Sequence, residues 1–91
     1  MSVATSPAKT RDAAHYLHAF TNAKANEEQG PLVITRGDGV FVYDEDGNEY
    51  LEGFSGLWCA SLGFSESRLV DAATAQMKRL PYYHSFFQRN N

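Results

Sequence analysis

Between residues 32 and 53 the chain alternates short apolar runs with turn signals. LVITR (32–36), VFVYD (40–44) and EYLEG (49–53) are rich in β-branched and aromatic residues. The run RGDG separates the first two, and Asp46-Gly47 separates the second from the third. This pattern predicts a three-stranded antiparallel meander, a sheet small enough to need a partner layer. Ahead of it, Ala13, Tyr16, Leu17 and Phe20 recur at helical spacing in DAAHYLHAF (12–20), predicting a short amphipathic helix. A helix so short must dock on something to persist. Residues 1–10 are small and polar and read as a disordered leader, and residues 22–31, ending in Gly30-Pro31, read as a loop. Beyond the sheet, Val70, Ala73, Met77 and Leu80 share one helical face. Ser65 is the expected N-cap, Lys78 and Arg79 suit the last turn, and Pro81 stops the helix. The fold class expected is α+β: short helix, meander, glycine-rich loop, amphipathic helix.

Two stretches fit neither period. GFSGLWCASLGF (53–64) gathers three glycines, Trp58 and Cys59, the chain's sole tryptophan and cysteine. Its glycines let a backbone bend and approach a neighbour closely. A large ring held on such a segment serves either as core packing or as the wall of an apolar pocket, and the residues alone leave both readings open. The tail YYHSFFQRNN (82–91) places four of its aromatic rings within six residues. With no element after them, these rings cannot bury themselves locally, as expected for the cut end of a longer chain.

Composition narrows the function classes. Ninety-one residues suffice for one small domain of limited burial. A hydrophobic content of 43% is globular, not disordered. The net charge of −3 offers no attraction to nucleic acid or an anionic membrane surface. One cysteine precludes an internal disulfide. The start of the chain has no apolar run of a signal peptide, and no stretch approaches the ~20 apolar residues of a membrane span. A cytoplasmic location is the expectation.

No complete catalytic constellation emerges from the residues themselves. Asp44, Asp46 and Glu49 have the wrong glycine spacing for a calcium loop and read as a solvated hairpin turn. His15 and His18 lack a third ligand for a metal, so the expected metal set is none. Arg36-Gly37-Asp38 reads as part of a strand connection. Cys59 reads as a small buried apolar residue. None of Lys9, Lys24 and Lys78 sits in the apolar setting that activates a lysine for Schiff-base work.

The runs GDGVFVYDEDGNEYLEGFSGLWCASLGF and RLVDAATAQMKRLPYYHSFF, with DAAHYLHAFTN and GPLVITRGDGV upstream, resemble the N-terminal region of class III aminotransferases. These are pyridoxal-phosphate enzymes of fold type I, and the chain is most similar to their omega-transaminase branch. The resemblance covers residues 11 to 91. It implies the N-terminal part of the small domain and the start of the large one, in a homodimer whose active site lies at the subunit interface. It implies transfer of an amino group from an amine or omega-amino acid to pyruvate, with pyridoxal 5'-phosphate as cofactor.

By the same resemblance, Leu57 and Trp58 line the substrate pocket and Phe20 lies at its entrance. Phe86 and Phe87 approach the pocket of the neighbouring subunit, and Arg89 matches a mobile arginine that receives a substrate carboxylate. Ser55 in GFSGLWC and Ala60-Ser61 after the cysteine depart from common forms of the motif. The family's cofactor lysine and most of its phosphate cradle match nothing here, so no residue is assigned a catalytic role and the segment alone is expected neither to bind the cofactor nor to turn over. Two rival readings are a class III enzyme acting on a diamine, β-alanine or 4-aminobutyrate, and a non-catalytic interaction module that uses its aromatic tail as a binding surface.

Overall fold

The computed structural model describes residues 6–91. Its three strands, β1 (Ile34–Asp38), β2 (Phe41–Asp44) and β3 (Glu49–Leu51), form one sheet in the order β1-β2-β3. The helices are α1 (Pro7–His15), α2 (Ala23–Gln29), the single turn α3 (Ser55–Trp58) and α4 (Ser67–Arg79), followed by a 3₁₀ turn at Phe86–Gln88. The expected α+β order is thus present. By chain contacts the molecule divides into two compact units.

The first unit holds the chain up to Arg36 together with Val42–Tyr50. Ser6 caps α1, accepting the Lys9 N–H at 3.2 Å, and Pro7 opens the helix. The helix therefore begins inside the segment read as a leader. Residues 1–5 of that segment lie outside the described residues. The helix also ends at His15, short of the expected Phe20, because Tyr16 is already extended. The chain then folds back, and the His18 Nε2 meets both Asp12 carboxylate oxygens at 2.8 and 2.9 Å. Asn26 of α2 donates to the same carboxylate at 3.3 Å. The segment 22–31 is not a loop. Asn22 caps α2 by accepting from the Ala25 N–H, and Gly30, at φ 72°, ends it. A Cβ on Gly30 would lie 3.3 Å from the Lys9 Cβ, so α1 and the end of α2 touch there.

Asp44 organises the sheet's second turn. It is 5% exposed, beside Val42 at 8%. Its Oδ1 accepts the N–H groups of Asp46 and Asn48, each at 2.9 Å. Its Oδ2 accepts from the Asn48 amide at 3.0 Å and the Tyr50 hydroxyl at 2.9 Å. Both oxygens face donors, the opposite of what a calcium ion requires, and the side chain acts as the strut of an Asx-type turn. The carboxyl is held down at about 2, chiefly by the Asn48 side chain, against the raising effect of burial. Arg36 lies over the Tyr43 ring, 3.6 Å from its centroid.

The second unit holds Gly37–Phe41 and Leu51–Asn91. Strand β1 runs through Arg36-Gly37-Asp38, and the reversal falls one step later, at Gly39 with φ 59°. Gly37 sits inside the strand because a Cβ there would come within 2.4 Å of the Phe64 Cβ. Phe64 donates its N–H to the Gly39 carbonyl at 2.8 Å, and Gly63 takes φ 93° beside it. Ser65 is not the cap of α4. Its hydroxyl oxygen accepts the Gly39 N–H at 2.8 Å, tying the loop to the β1–β2 turn. Glu66 caps α4, taking the Arg68 N–H on its own carboxylate and pairing with the Arg68 Nε at 2.8 Å. The apolar stripe of α4 is present but exposed, at Leu69, Val70 and Met77 among others.

Candidate substrate-pocket segments

The stretch following Gly53 forms a left-handed turn. Four consecutive residues have positive φ: Ser55 at 51°, Gly56 at 59°, Leu57 at 69° and Trp58 at 69°. The turn closes on two carbonyls. The Phe54 carbonyl accepts the N–H groups of Leu57 and Trp58, both at 3.0 Å. The Ser55 carbonyl accepts those of Cys59 and Ala60, both at 2.9 Å. The Gly56 carbonyl accepts the Cys59 thiol at 2.9 Å. Cys59 is exposed and engaged with the turn, not the buried apolar residue that its chemistry suggested. The Trp58 ring tilts against that of Phe54, centroids 5.9 Å apart at 47°.

Left-handed backbone costs a non-glycine residue roughly 1–2 kcal/mol. Three such residues, Ser55, Leu57 and Trp58, are strained within this one turn. Trp58 does not recover this by burial, since it is 78% exposed among the described residues. Within this chain it is therefore not core. Cys59, Leu62, Phe64, Leu69 and Val70 line an open hollow of about 450 Å³ that follows the turn.

The tail repeats the geometry on a smaller scale. Phe87 and Gln88 have φ of 57° and 60°. Phe86 and Phe87 meet edge to face, centroids 6.4 Å apart. His84 stacks on Tyr83 at 4.5 Å. Arg89 donates from Nη1 to the Phe87 carbonyl at 3.4 Å and places its guanidinium 5.8 Å from the Phe87 ring centroid. Phe20, in the first unit, is fully exposed at φ 49°.

Among the described residues, six non-glycine residues have positive φ: Phe20, Ser55, Leu57, Trp58, Phe87 and Gln88. Four of them, Phe20, Leu57, Trp58 and Phe87, are expected pocket residues. Bulky residues seldom adopt this conformation, and such strain gathers at ligand clamps and active sites. Sequence reasoning did not reach Ser55, Gln88, the Phe54–Trp58 ring pair or the Cys59–Gly56 bond. The glycine density of residues 53–64 hinted at all of these but Gln88, which lies in the tail.

The model of the class-III aminotransferase family matches residues 22–90. The chain belongs to that family. The class III segment is 45% identical over 74 residues to the putrescine–pyruvate aminotransferase of Pseudomonas aeruginosa, a match covering 81% of this chain and 16% of that protein. The omega transaminase of Pseudomonas jessenii, solved in complex with PMP, superposes with a TM-score of 0.86 at 45% identity. That match covers 94% of this chain and 19% of the other. A thermostable omega transaminase variant, W58G, engineered for asymmetric synthesis of enantiopure bulky amines, superposes with a TM-score of 0.85 at 43% identity, over 92% of this chain and 19% of the variant. The class III segment thus spans under a fifth of the length of the proteins it matches.

Two of the hollows offer no cradle for a phosphate-bearing cofactor. Lys9 shares its hollow with Glu27 and Glu28, an acidic setting that repels phosphate. The hollow beside the Trp58 turn is lined by Glu66 and apolar or small residues, with no lysine, arginine or histidine.

Proposed function

We propose that residues 11–91 supply the amine-facing wall of a pyridoxal-phosphate-dependent class III aminotransferase. The whole enzyme would move an amino group from an amine or omega-amino acid to pyruvate, as a homodimer in the cytoplasm. Within it, Leu57 and Trp58 bound the space for the amine's substituent, and Phe20 stands at the entrance. Phe86 and Phe87 reach the neighbouring subunit's pocket. Arg89 receives the carboxylate of the keto-acid acceptor, a task suited to a planar guanidinium with paired donors. The cofactor's electron-sink chemistry would be held by sequence other than these residues.

The observation that carries this reading is the concentration of positive φ on the aromatic and leucine residues of the expected pocket. Strain at exposed bulky side chains is retained where their position serves a ligand. The W58G variant engineered toward bulky amines supports the same role for the tryptophan carried here. A diamine donor is the second reading, favoured by the similarity to a putrescine–pyruvate aminotransferase.

The test is a chimera in which residues 11–91 replace the matching segment of the P. jessenii enzyme. The expected result is a cofactor-loaded dimer that forms alanine from pyruvate and an amine donor. A folded, loaded chimera that forms none would refute the proposal.

A further inference from the structure

We infer that Gly56 is a positioning residue that sets amine-size selectivity by fixing the left-handed turn beneath Trp58. The inference rests on the proposed role of Trp58 as a pocket wall and adds what holds the indole in place.

Trp58 is largely exposed among the described residues, and its ring partner is Phe54, four residues back on the same turn. An exposed side chain takes its position from its backbone more than from its surroundings. That backbone is four successive positive-φ residues, of which Gly56 is the one that adopts φ 59° without strain. Its carbonyl accepts the Cys59 thiol at 2.9 Å, so Gly56 is also tied to the residue that follows Trp58 in the chain.

A Cβ added at Gly56 meets no obstacle. The nearest atoms are the Phe64 Cε1 at 3.4 Å, the Cys59 Sγ at 3.7 Å and the Ala60 Cβ at 3.9 Å, all ordinary contacts. Alanine there acts through φ alone. It biases the turn toward right-handed backbone and so swings the two residues that follow, Leu57 and Trp58. Gly56 itself has no side chain with which to touch substrate.

A double-mutant cycle in the cofactor-loaded chimera tests this. The parent, Gly56→Ala, Trp58→Gly and the double variant are compared for kcat/KM on isopropylamine and on a bulky arylalkylamine. The expected result is a change of roughly tenfold in the ratio of the two when Gly56→Ala is made beside Trp58, and no change when it is made beside Gly at position 58. The same change in both backgrounds, or none in either, overturns the inference. Trp58→Gly alone reads the underlying pocket assignment: an unchanged ratio there refutes that assignment, whatever Gly56→Ala does. Should Gly56→Ala not fold, Cys59→Ala, which removes the thiol bond to the Gly56 carbonyl, is put through the same cycle with the same criteria.

Discussion

Phe54 and Trp58 face each other across one left-handed turn, their ring centroids 5.9 Å apart. Tilted aromatic pairs of this kind are worth about 0.5–1.5 kcal/mol beyond their buried area. Phe54 therefore acts as the backstop of the indole. Phe54→Ala in the chimera is expected to shift the bulky-to-small amine ratio in the same direction as Trp58→Gly, by roughly two- to tenfold. An unaltered ratio, with both specificity constants intact, would remove Phe54 from this role.

Arg89 follows two aromatic residues and spends one donor on the Phe87 carbonyl. A guanidinium carries five N–H donors, so a carboxylate can still be received in two-point fashion. Arg89→Ala in the chimera is expected to lower kcat/KM for pyruvate by roughly tenfold or more, the scale of a hydrogen bond to a charged group. With an aldehyde acceptor, which lacks a carboxylate, the loss should be slight. Equal losses for both acceptors would place Arg89 outside the carboxylate site.

Asp44 ties the β2–β3 turn by accepting from Asp46, Asn48 and Tyr50. Its carboxyl lies at about 2 in place of its ordinary 3.8, chiefly through the Asn48 side chain. A folded pKa below the unfolded one means that the ionised group stabilises the turn fully above about pH 4. That contribution is lost as pH falls through about 2. Asp44→Asn puts an amide donor among donors. Hydrogen exchange of the Asp46 and Asn48 amides, corrected for intrinsic rate, should show roughly tenfold less protection in that variant at neutral pH. In the unsubstituted chimera protection should hold down to about pH 4 and fall below it. Equal protection in both proteins at neutral pH would contradict the assignment.

Parts of this architecture are legible in the sequence for identifiable reasons. The strands announce themselves because Val, Ile, Phe and Tyr cluster between glycine-bearing turns, and α4 because its apolar residues keep one period. Helix α2 stays hidden because Ala23–Gln29 is built of helix-forming polar and small residues with no apolar face, so periodicity has nothing to detect. The displacement of the first strand's end follows from Gly37, whose need for close approach to Phe64 appears only in three dimensions. Ser65 has the chemistry of an N-cap, yet its hydroxyl is claimed by the Gly39 N–H, and Glu66 takes the cap. The identities of the proposed pocket residues come from the resemblance to a family. Their left-handed backbone is invisible in sequence, because Leu, Trp and Phe all disfavour it.

The isolated chain mixed with pyridoxal phosphate should not form a single-site adduct. Lys9 lies near Glu27 and Glu28, and no lysine lines the hollow beside Trp58. The exposed aromatic and aliphatic side chains of the second unit favour self-association instead. Borohydride reduction followed by peptide mapping should find scattered, substoichiometric labelling. A stoichiometric adduct at one lysine, with amine-dependent turnover, would contradict the proposal that cofactor chemistry is held elsewhere.

The most direct measurement of the central claim is the substrate ratio of Trp58→Gly in the chimera, read beside its thermal stability. Replacing an exposed indole that walls a pocket should leave the protein folded. It should raise kcat/KM for a bulky arylalkylamine relative to isopropylamine by roughly 10–200-fold, the range that reshaped apolar contact commands. A variant that loses stability and keeps the parental ratio would place Trp58 in the core and contradict the account.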